Sequence, residues 1–369
     1  MKFNRAVIKV GSALVAPNAQ GCSGKYTLAI SQFITQCQQQ GKEIILVSSG
    51  SIAAGRSSIH HGSVDVSVAT RKAMASVGQM KMMANWQRFF DIPCSQLLIT
   101  QQDLNDRERF ISIKHTINIQ LANGILPIVN ENDTVASKDA TAGDNDNLAA
   151  LVAQVCEADA LFILGDVDGV FTQDPKTNTN ALLVPVIDKV TDEIYAMAGV
   201  NNNKHSTGGM RSKIEAAAKA VEHGINTYIV NGTRNDVFDA LLKELNPGTH
   251  FIAHKDIITA KKHWLKHTLK SQGQIILDEG AVNALLNEGA SLLPKGIKSV
   301  QSQCQFSFQQ GDSVDLIDEK SNKIIAKGIS IYSQRDLTRI MGQHSGSIAS
   351  ILGHNQGSVV VHRDDMVIL

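Results

Sequence analysis

Two lysines stand where lysine is costly. Lys9 interrupts the apolar run "AVIKVGSALV", just ahead of Gly11 and Ser12, and Lys213 lies in the first turn of the helical stretch "STGGMRSKIEAAAKAVEHG". An ammonium taken out of water needs a compensating anion. Gly208 and Gly209, which lead into that helix, let a backbone approach phosphate oxygens closely, and free N–H groups at a helix start favour an anion. Acids and amides gather at two further turns, "NEND" at 130–133 and "GDNDNLAA" at 143–150. A single acid suffices to cap the helix "NLAALVAQVCEA", and the helix dipole rewards it by only roughly 0.3–1 kcal/mol. Asp144, Asn145, Asp146 and Asn147 exceed that need. Acids here can orient the two ammonium groups, and acids with amides can grip a small zwitterion through its amino group. "VSSGSIAAG", with Ser49 and Gly50, opens another helix with free N–H groups. "LFILGDVDGVF" puts Gly165 and Asp166 after an apolar run, followed by an Asp168-Gly169 turn suited to a ribose or a phosphate-bound metal. Taken singly, these features read as a snorkelling lysine, helix caps and an Asp-Gly turn. Together they describe a site for a phosphate-bearing ligand and a small zwitterion. The pattern G-x-x-x-x-G-K-[ST] is absent, which argues against a P-loop nucleotidase.

The elements that must carry these turns follow from periodicity. Short apolar runs at 5–10, 43–48, 95–100, 125–129, 160–164 and 226–231 predict strands. Between them, "KYTLAISQFITQCQQQG", "VATRKAMASVGQMKMMANWQRFF" and "ERFISIKHTINIQLANG" carry apolar residues at helical spacing. Alternation of this kind predicts a parallel sheet with helices on both faces and ligands beyond the carboxyl ends of its strands. The texture changes after "NPG" at 246–248. The expected division is a domain over 1–253, a linker over 254–270 and a β-rich domain over 271–369. Strand-like runs in the last are "QIILD", "SVDLID", "KIIAKGIS" and "SVVVH".

At 369 residues the chain is long enough for two domains. Lys plus Arg equals Asp plus Glu at 35 each, so no global field favours nucleic acid or an anionic membrane. The five cysteines are widely spaced with no C-x-x-C pair, which predicts reduced, buried thiols and not a zinc or redox centre. Lys9 breaks the apolar run after the basic start, so no secretory leader is expected. No stretch reaches the roughly 18 apolar residues of a membrane span, and a cytoplasmic protein is expected.

In order along the chain, "IKVGSALV", "SSGSIAAG", "VGQ", "DRERF", "IVNEND", "GDNDNL", "TGGMRSK", "DEGAVNALLNEGASLLPKGI" and "HRDDM" resemble the amino acid kinase family, in its branch acting on L-glutamate. The resemblance spans nearly the whole chain. It implies an α/β sandwich with a mainly parallel central sheet, followed by a small β-rich PUA domain. The implied reaction is transfer of phosphoryl from ATP to the γ-carboxylate of L-glutamate, giving L-glutamyl 5-phosphate and opening proline biosynthesis. The resemblance further implies Mg²⁺ held mainly by the ATP phosphates with no metal site on the protein, feedback inhibition by proline, and a homo-oligomer, dimer or tetramer. Carried over by position, Lys9 and Lys213 resemble the pair that stabilises the transferring group, and Asp146 the carboxylate that holds them. Ser49, Asp133 and Asn145 match glutamate-binding positions. Lys9, Gly165, Asp166, Thr207, Gly208, Gly209, Met210, Arg211, Ser212 and Lys213 match the nucleotide site, with Gly50 and Asp144 in support. Because the substrate carboxylate is already the nucleophile, no general base is required. Two positions depart from the family pattern. Gly165 replaces a threonine and Thr141 a basic residue, so altered ATP affinity is expected, with Lys138 placed to compensate.

The competing class is an RNA-binding or RNA-modifying protein acting through the PUA module. Residues 271–369 hold 8 Lys or Arg against 10 Asp or Glu, the wrong sign for an RNA surface. Only 254–270 is basic, with five lysines and one aspartate, and it reads as an amphipathic linker helix packed through Trp264 and Leu265. Kinases of aspartate, N-acetylglutamate, carbamate or UMP are the rivals on the same fold. A free amino group on the substrate suits Asp133 and Asn145 best.

Overall fold

The computed structural model describes residues 3–59, 66–136, 145–175, 177–198, 209–254, 271–303, 307–353 and 358–369. They belong to two compact units, Met1–Lys255 and Asp256–Leu369. Residues 255–270, which include most of the expected linker, lie outside the described set.

The N-terminal unit begins with β1 (Arg5–Val10), α1 (Ser12–Val15) and α2 (Gly24–Gln39). It continues through β2 (Glu43–Ser48), α3 (Ser51–Gly55), α4 (Val68–Gln87), β3 (Cys94–Ile99), α5 (Gln101–Asn105) and α6 (Arg107–Ala122). Then come β4 (Leu126–Glu131), α7 (Asn145–Val155), β5 (Ala160–Gly165), β6 (Val186–Ile187) and α8 (Asp192–Met197). α9 (Met210–Glu222), β7 (Asn226–Asn231), α10 (Asn235–Leu242) and β8 (Thr249–Phe251) complete it. Polar side chains set the helix starts: Ser23 accepts from Lys25 N–H ahead of α2, Ser67 from Thr70 N–H ahead of α4, and Asp106 from Arg109 N–H ahead of α6. A reciprocal capping box between Thr100 and Asp103 starts α5.

The eight strands form one sheet in the order β3-β4-β2-β1-β5-β7-β8-β6, so β1 lies inside it, between β2 and β5. Its pairs are parallel except β7 with β8. Successive residues of a strand face opposite sides. Ala6, Ile8 and Val10 therefore join the core under α2, α4 and α10, while Val7 packs with residues of α7 and α9 such as Leu148 and Ile214. Lys9 shares the face of Val7, so the pleat alone aims its ammonium at α7 and α9.

The short strands β6 and β8 were not among the expected ones. Two- and three-residue strands carry too little alternation to be read from sequence, and β8 directly follows the "NPG" taken as the place where the pattern changes. The fourth strand runs to Glu131, so Asn130 and Glu131 belong to the buried strand and only the second half of "NEND" is turn.

The C-terminal unit holds a five-stranded sheet in the order β10-β9-β11-β12-β13. These strands are β9 (Gly273–Leu277), β10 (Ile297–Ser302), β11 (Ser313–Asp318), β12 (Ile324–Ile329) and β13 (Met366–Ile368). Its core gathers Ile275, Leu316, Phe308, Tyr332 and Val360. Two corrections arise. "SVVVH" contributes only the isolated bridge of Val361 to Leu292, and the closing strand is Met366–Ile368. The edge strand β10 was not expected, because its polar residues face solvent and mask its pattern.

Cys37 and Cys156 are buried free thiols, the latter pushed up to about 12 by desolvation. Cys22 and Cys94 are only half-buried, a correction to the expectation for the set, and Cys304 lies outside the described residues. Among the described residues no helix is long and apolar enough to cross a membrane.

Candidate functional site

Three elements meet beneath the carboxyl end of β1. Lys9 from that strand places Nζ 2.5 Å from Asp146 Oδ1, and Lys213 from α9 places Nζ 3.1 Å from Asp146 Oδ2. The Ser212 hydroxyl lies 2.8 Å from Asp146 Oδ2 and 2.9 Å from the Gly209 carbonyl. Asp146 is 1% exposed, Lys9 5% and Lys213 7%, so all three charges are out of bulk water. Burial alone would raise the Asp146 pKa. Attraction to Lys9 and Lys213, with hydrogen bonds from Lys9 and Ser212, outweighs it and holds the carboxyl well below the usual carboxylate range. The trio therefore carries one excess positive charge in a low-dielectric setting, where it attracts an anion far more strongly than it would in water. Asn147, one residue on, accepts from Lys219 Nζ at 2.6 Å and fastens α7 to α9 behind the charges.

The expectation that four polar residues head α7 needs refinement. The helix begins at Asn145, and Asn145, Asp146 and Asn147 are buried, so they serve as interior contacts. Asp144 lies outside the described residues, as do Thr207, Gly208, Thr141 and Lys138.

At the carboxyl end of β4, Asn145 Nδ2 donates to Asn130 Oδ1 at 3.0 Å, and its Oδ1 accepts from the Glu131 N–H at 3.3 Å. Asp133, in the turn after β4, accepts from the Ser51 hydroxyl at 2.8 Å. Desolvation raises the Asp133 pKa above its ordinary value of 3.8, against the opposing pull of the Ser51 hydroxyl and Lys72. The Lys72 ammonium donates to the Ala136 carbonyl at 2.9 Å and so ties α4 to the same turn. Neither serine of "VSSG" caps α3. Ser49 uses its N–H to hold Val10 O at 3.0 Å, Ser48 accepts from the Trp86 indole at 2.8 Å, and the cap residue is Gly50, at φ 113°. That left-handed conformation favours glycine, and a Cβ there would stand 3.0 Å from Val15 Cβ.

At the start of α9, Gly209 is the cap residue, with Met210, Arg211 and Ser212 forming the first turn. Arg211 is exposed and pairs with Glu215 at 3.0 Å. Gly165 ends β5, and a Cβ there would press on Lys213 Cε at 3.3 Å. Its bare backbone leaves room for the Lys213 stem, which links this departure to the position of the ammonium. Asp166, next along, is exposed. Asp168 instead accepts from Asn231 Nδ2 at 2.9 Å, with the Arg234 guanidinium at 3.5 Å.

The structure thus gathers Lys9, Lys213, Asp146 and Ser212 into one cluster, and links Asn145 and Asp133 to neighbours of their own. Sequence reasoning missed Ser51, Asn130, Gln79 and Lys72. Ser51 and Asn130 lie inside motifs singled out for their neighbours. Lys72 sits on α4, where an isolated polar residue carries no signal of what it will meet, and Gln79 closes the "VGQ" of the family resemblance, which gave it no role.

A buried cationic pair organised by one carboxylate, at the strand ends of a mainly parallel sheet and beside a glycine-led helix, is the architecture of an anion-handling α/β enzyme. The family model for the amino acid kinase family matches residues 4–231, and that for the PUA domain residues 273–352. A protein of Idiomarina loihiensis named glutamate 5-kinase is 50% identical over 367 residues, covering 100% of this chain and 98% of its own. A glutamate 5-kinase of Salinibacter ruber is 48% identical over 370 residues, covering 99% and 97% of the two chains. One of Xanthomonas euvesicatoria is 43% identical over 366 residues, covering 98% and 100%. This chain belongs to the amino acid kinase family, in its glutamate 5-kinase branch with a C-terminal PUA domain.

Proposed function

We propose that this protein transfers the γ-phosphoryl group of ATP to the γ-carboxylate of L-glutamate, making L-glutamyl 5-phosphate for proline biosynthesis. The observation that carries the reading is the contact of Lys9 and Lys213 with opposite oxygens of Asp146. Phosphoryl transfer demands little covalent help and much positioning, because negative charge spreads over the equatorial oxygens of the transferring group. Two ammonium groups held by one carboxylate supply a net positive charge in place before the reaction, with no reorganisation during it. Glycine-led α9 suits the nucleotide phosphates, with Gly165 and Asp166 on the same rim. Asp133 and Asn145 suit the substrate's amino end, and the Ser49–Gly50 turn suits its carboxylates.

The donor set fits a Mg²⁺ ion that arrives on the nucleotide. Both Asp146 oxygens are already engaged by lysines. When bound, the ion neutralises charge on the β- and γ-phosphates.

Release of ADP by the purified protein, with ATP, Mg²⁺ and a panel of acceptors, tests the reading. L-glutamate is expected to be preferred, and a preference for L-aspartate or UMP overturns it. Repeating the assay with added proline reads the feedback inhibition that the family implies.

A pH dependence follows from Asp133. Its pKa is raised in the fold, so the carboxylate form that pairs with an amino group is lost, as pH falls, sooner than for an ordinary aspartate. The same shift makes the group favour folding only at low pH, and that contribution disappears as pH rises through the raised value. The kcat/KM for glutamate is expected to show an acid limb centred above 3.8 that is missing in Asp133→Asn. The substrate's own carboxyl titrates identically in both proteins, so the difference between the profiles isolates Asp133. Parallel profiles would remove the assignment.

A further inference from the structure

Behind the substrate turn runs a chain of carboxamides that the transfer chemistry itself does not use. Asn145 on α7 donates to Asn130 on β4 at 3.0 Å, Asn130 Nδ2 donates to Gln79 Oε1 on α4 at 2.9 Å, and Gln79 Nε2 donates to Gln96 Oε1 on β3 at 3.1 Å. The three inner members are buried: Asn130 is 1% exposed, Asn145 3% and Gln79 7%.

One backbone group sets the direction of the whole chain. The Glu131 N–H can only donate, and it donates to Asn145 Oδ1 at 3.3 Å. That turns the Asn145 amide nitrogen toward Asn130, which must present its oxygen. Asn130 then presents its own nitrogen to Gln79, which must accept. Any member turned over would set two N–H₂ groups or two carbonyls against each other in a buried space, leaving groups without hydrogen bonds where water cannot replace them. Gln79 closes this arrangement from α4, across the sheet from α7. The same helix carries Gly78, which packs against the Ser51 carbonyl.

We propose that Gln79 is a positioning residue for the amino-acid substrate: it locks the Asn130 carboxamide and, through it, the orientation in which Asn145 meets the ligand. The proposal rests on the reading of Asn145 as a glutamate-binding residue. It assigns Gln79 no contact with either substrate. Loss of its oxygen frees Asn130 to turn, and Asn145 with it, so the effect falls on binding of the amino acid. The nucleotide cluster of Lys9, Lys213 and Asp146 keeps all its contacts.

The test is steady-state kinetics on the full-length protein with two variants. Gln79→Met keeps the length and volume of the side chain and removes both hydrogen bonds. It is expected to raise KM for L-glutamate about tenfold or more, with KM for ATP unchanged within about twofold and kcat little altered. Gln79→Glu keeps an acceptor oxygen toward Asn130 in either protonation state, and is expected to restore KM for glutamate to within about threefold of the unmodified protein. An unchanged glutamate KM in Gln79→Met overturns the proposal, as does an equal rise in both Michaelis constants. If Gln79→Met does not fold, Gln79→Glu decides alone: a glutamate KM raised tenfold or more there overturns it as well. Failure of the unmodified protein to release ADP with L-glutamate is a separate result, and sinks the functional reading together with this one.

Discussion

Lys213→Ala is expected to lower kcat about a thousandfold while the protein stays folded. The ammonium is buried, and its partner is the Asp146 carboxylate at 3.1 Å. Removing one member of a buried ion pair ordinarily destabilises a fold strongly, because a charge is left alone. Here that penalty does not arise, since Asp146 keeps Lys9 at 2.5 Å and the Ser212 hydroxyl at 2.8 Å. Alanine also suits the interior of α9. What disappears is the excess positive charge, because Lys9 and Asp146 together are neutral. That charge matters most when negative charge spreads onto the equatorial oxygens, so kcat and kcat/KM should fall together. Rapid-quench turnover beside a thermal melt measures both halves of the expectation. Near-normal turnover, or a melt lowered as far as turnover, would contradict the role given to Lys213.

The second large effect is expected at a residue that touches no charge. Gly78→Ala should lower stability by roughly 3 kcal/mol or more and weaken glutamate binding. Helix propensity alone predicts the reverse, since alanine is favoured over glycine inside a helix by about 1 kcal/mol. The structure decides between them. A Cβ at Gly78 would fall 1.8 Å from the Ser51 carbonyl oxygen and 2.5 Å from the Gly55 nitrogen, and both are backbone atoms of α3 that cannot rotate away. Gly55 faces the same limit, with a Cβ only 1.9 Å from Met74 O. The two helices therefore cross with backbone against backbone, and any added carbon must drive α4 from α3. Ser51 lies in that contact and hydrogen-bonds Asp133, so the displacement reaches the turn proposed to bind the amino-acid substrate. Urea unfolding and the glutamate KM read the two consequences, and a midpoint unchanged or raised would mean that the helices do not pack this way.

Most strands and the long helices were legible because their information is local. The apolar runs at 5–10, 43–48 and 226–231 match β1, β2 and β7 residue for residue, and once β1 is placed the pleat sets the face of Lys9. Polar residues packed into "GDND" marked α7 as more than a capped helix, since one acid would have met the capping need. Where the signal was short or masked by solvent, as in β6, β8 and β10, the strands were not foreseen.

By itself, then, the sequence determined which residues had to lie at strand ends and helix starts, and that two lysines among them needed an anion. The family resemblance named Asp146 as that anion, but only the tertiary structure decided how each ammonium reaches it, Lys9 at one carboxylate oxygen and Lys213 at the other. Lys9, Ser212 and Lys213 meet Asp146 because the sheet register brings β1 beside β5 and sets α7 against α9, and no local pattern encodes a distance between segments so far apart in the chain. The same holds for Ser51 reaching Asp133 and for the amides linking Gln79 to Asn145. Such contacts arise when packed elements exclude water and each buried polar group must take the partner that geometry leaves within reach.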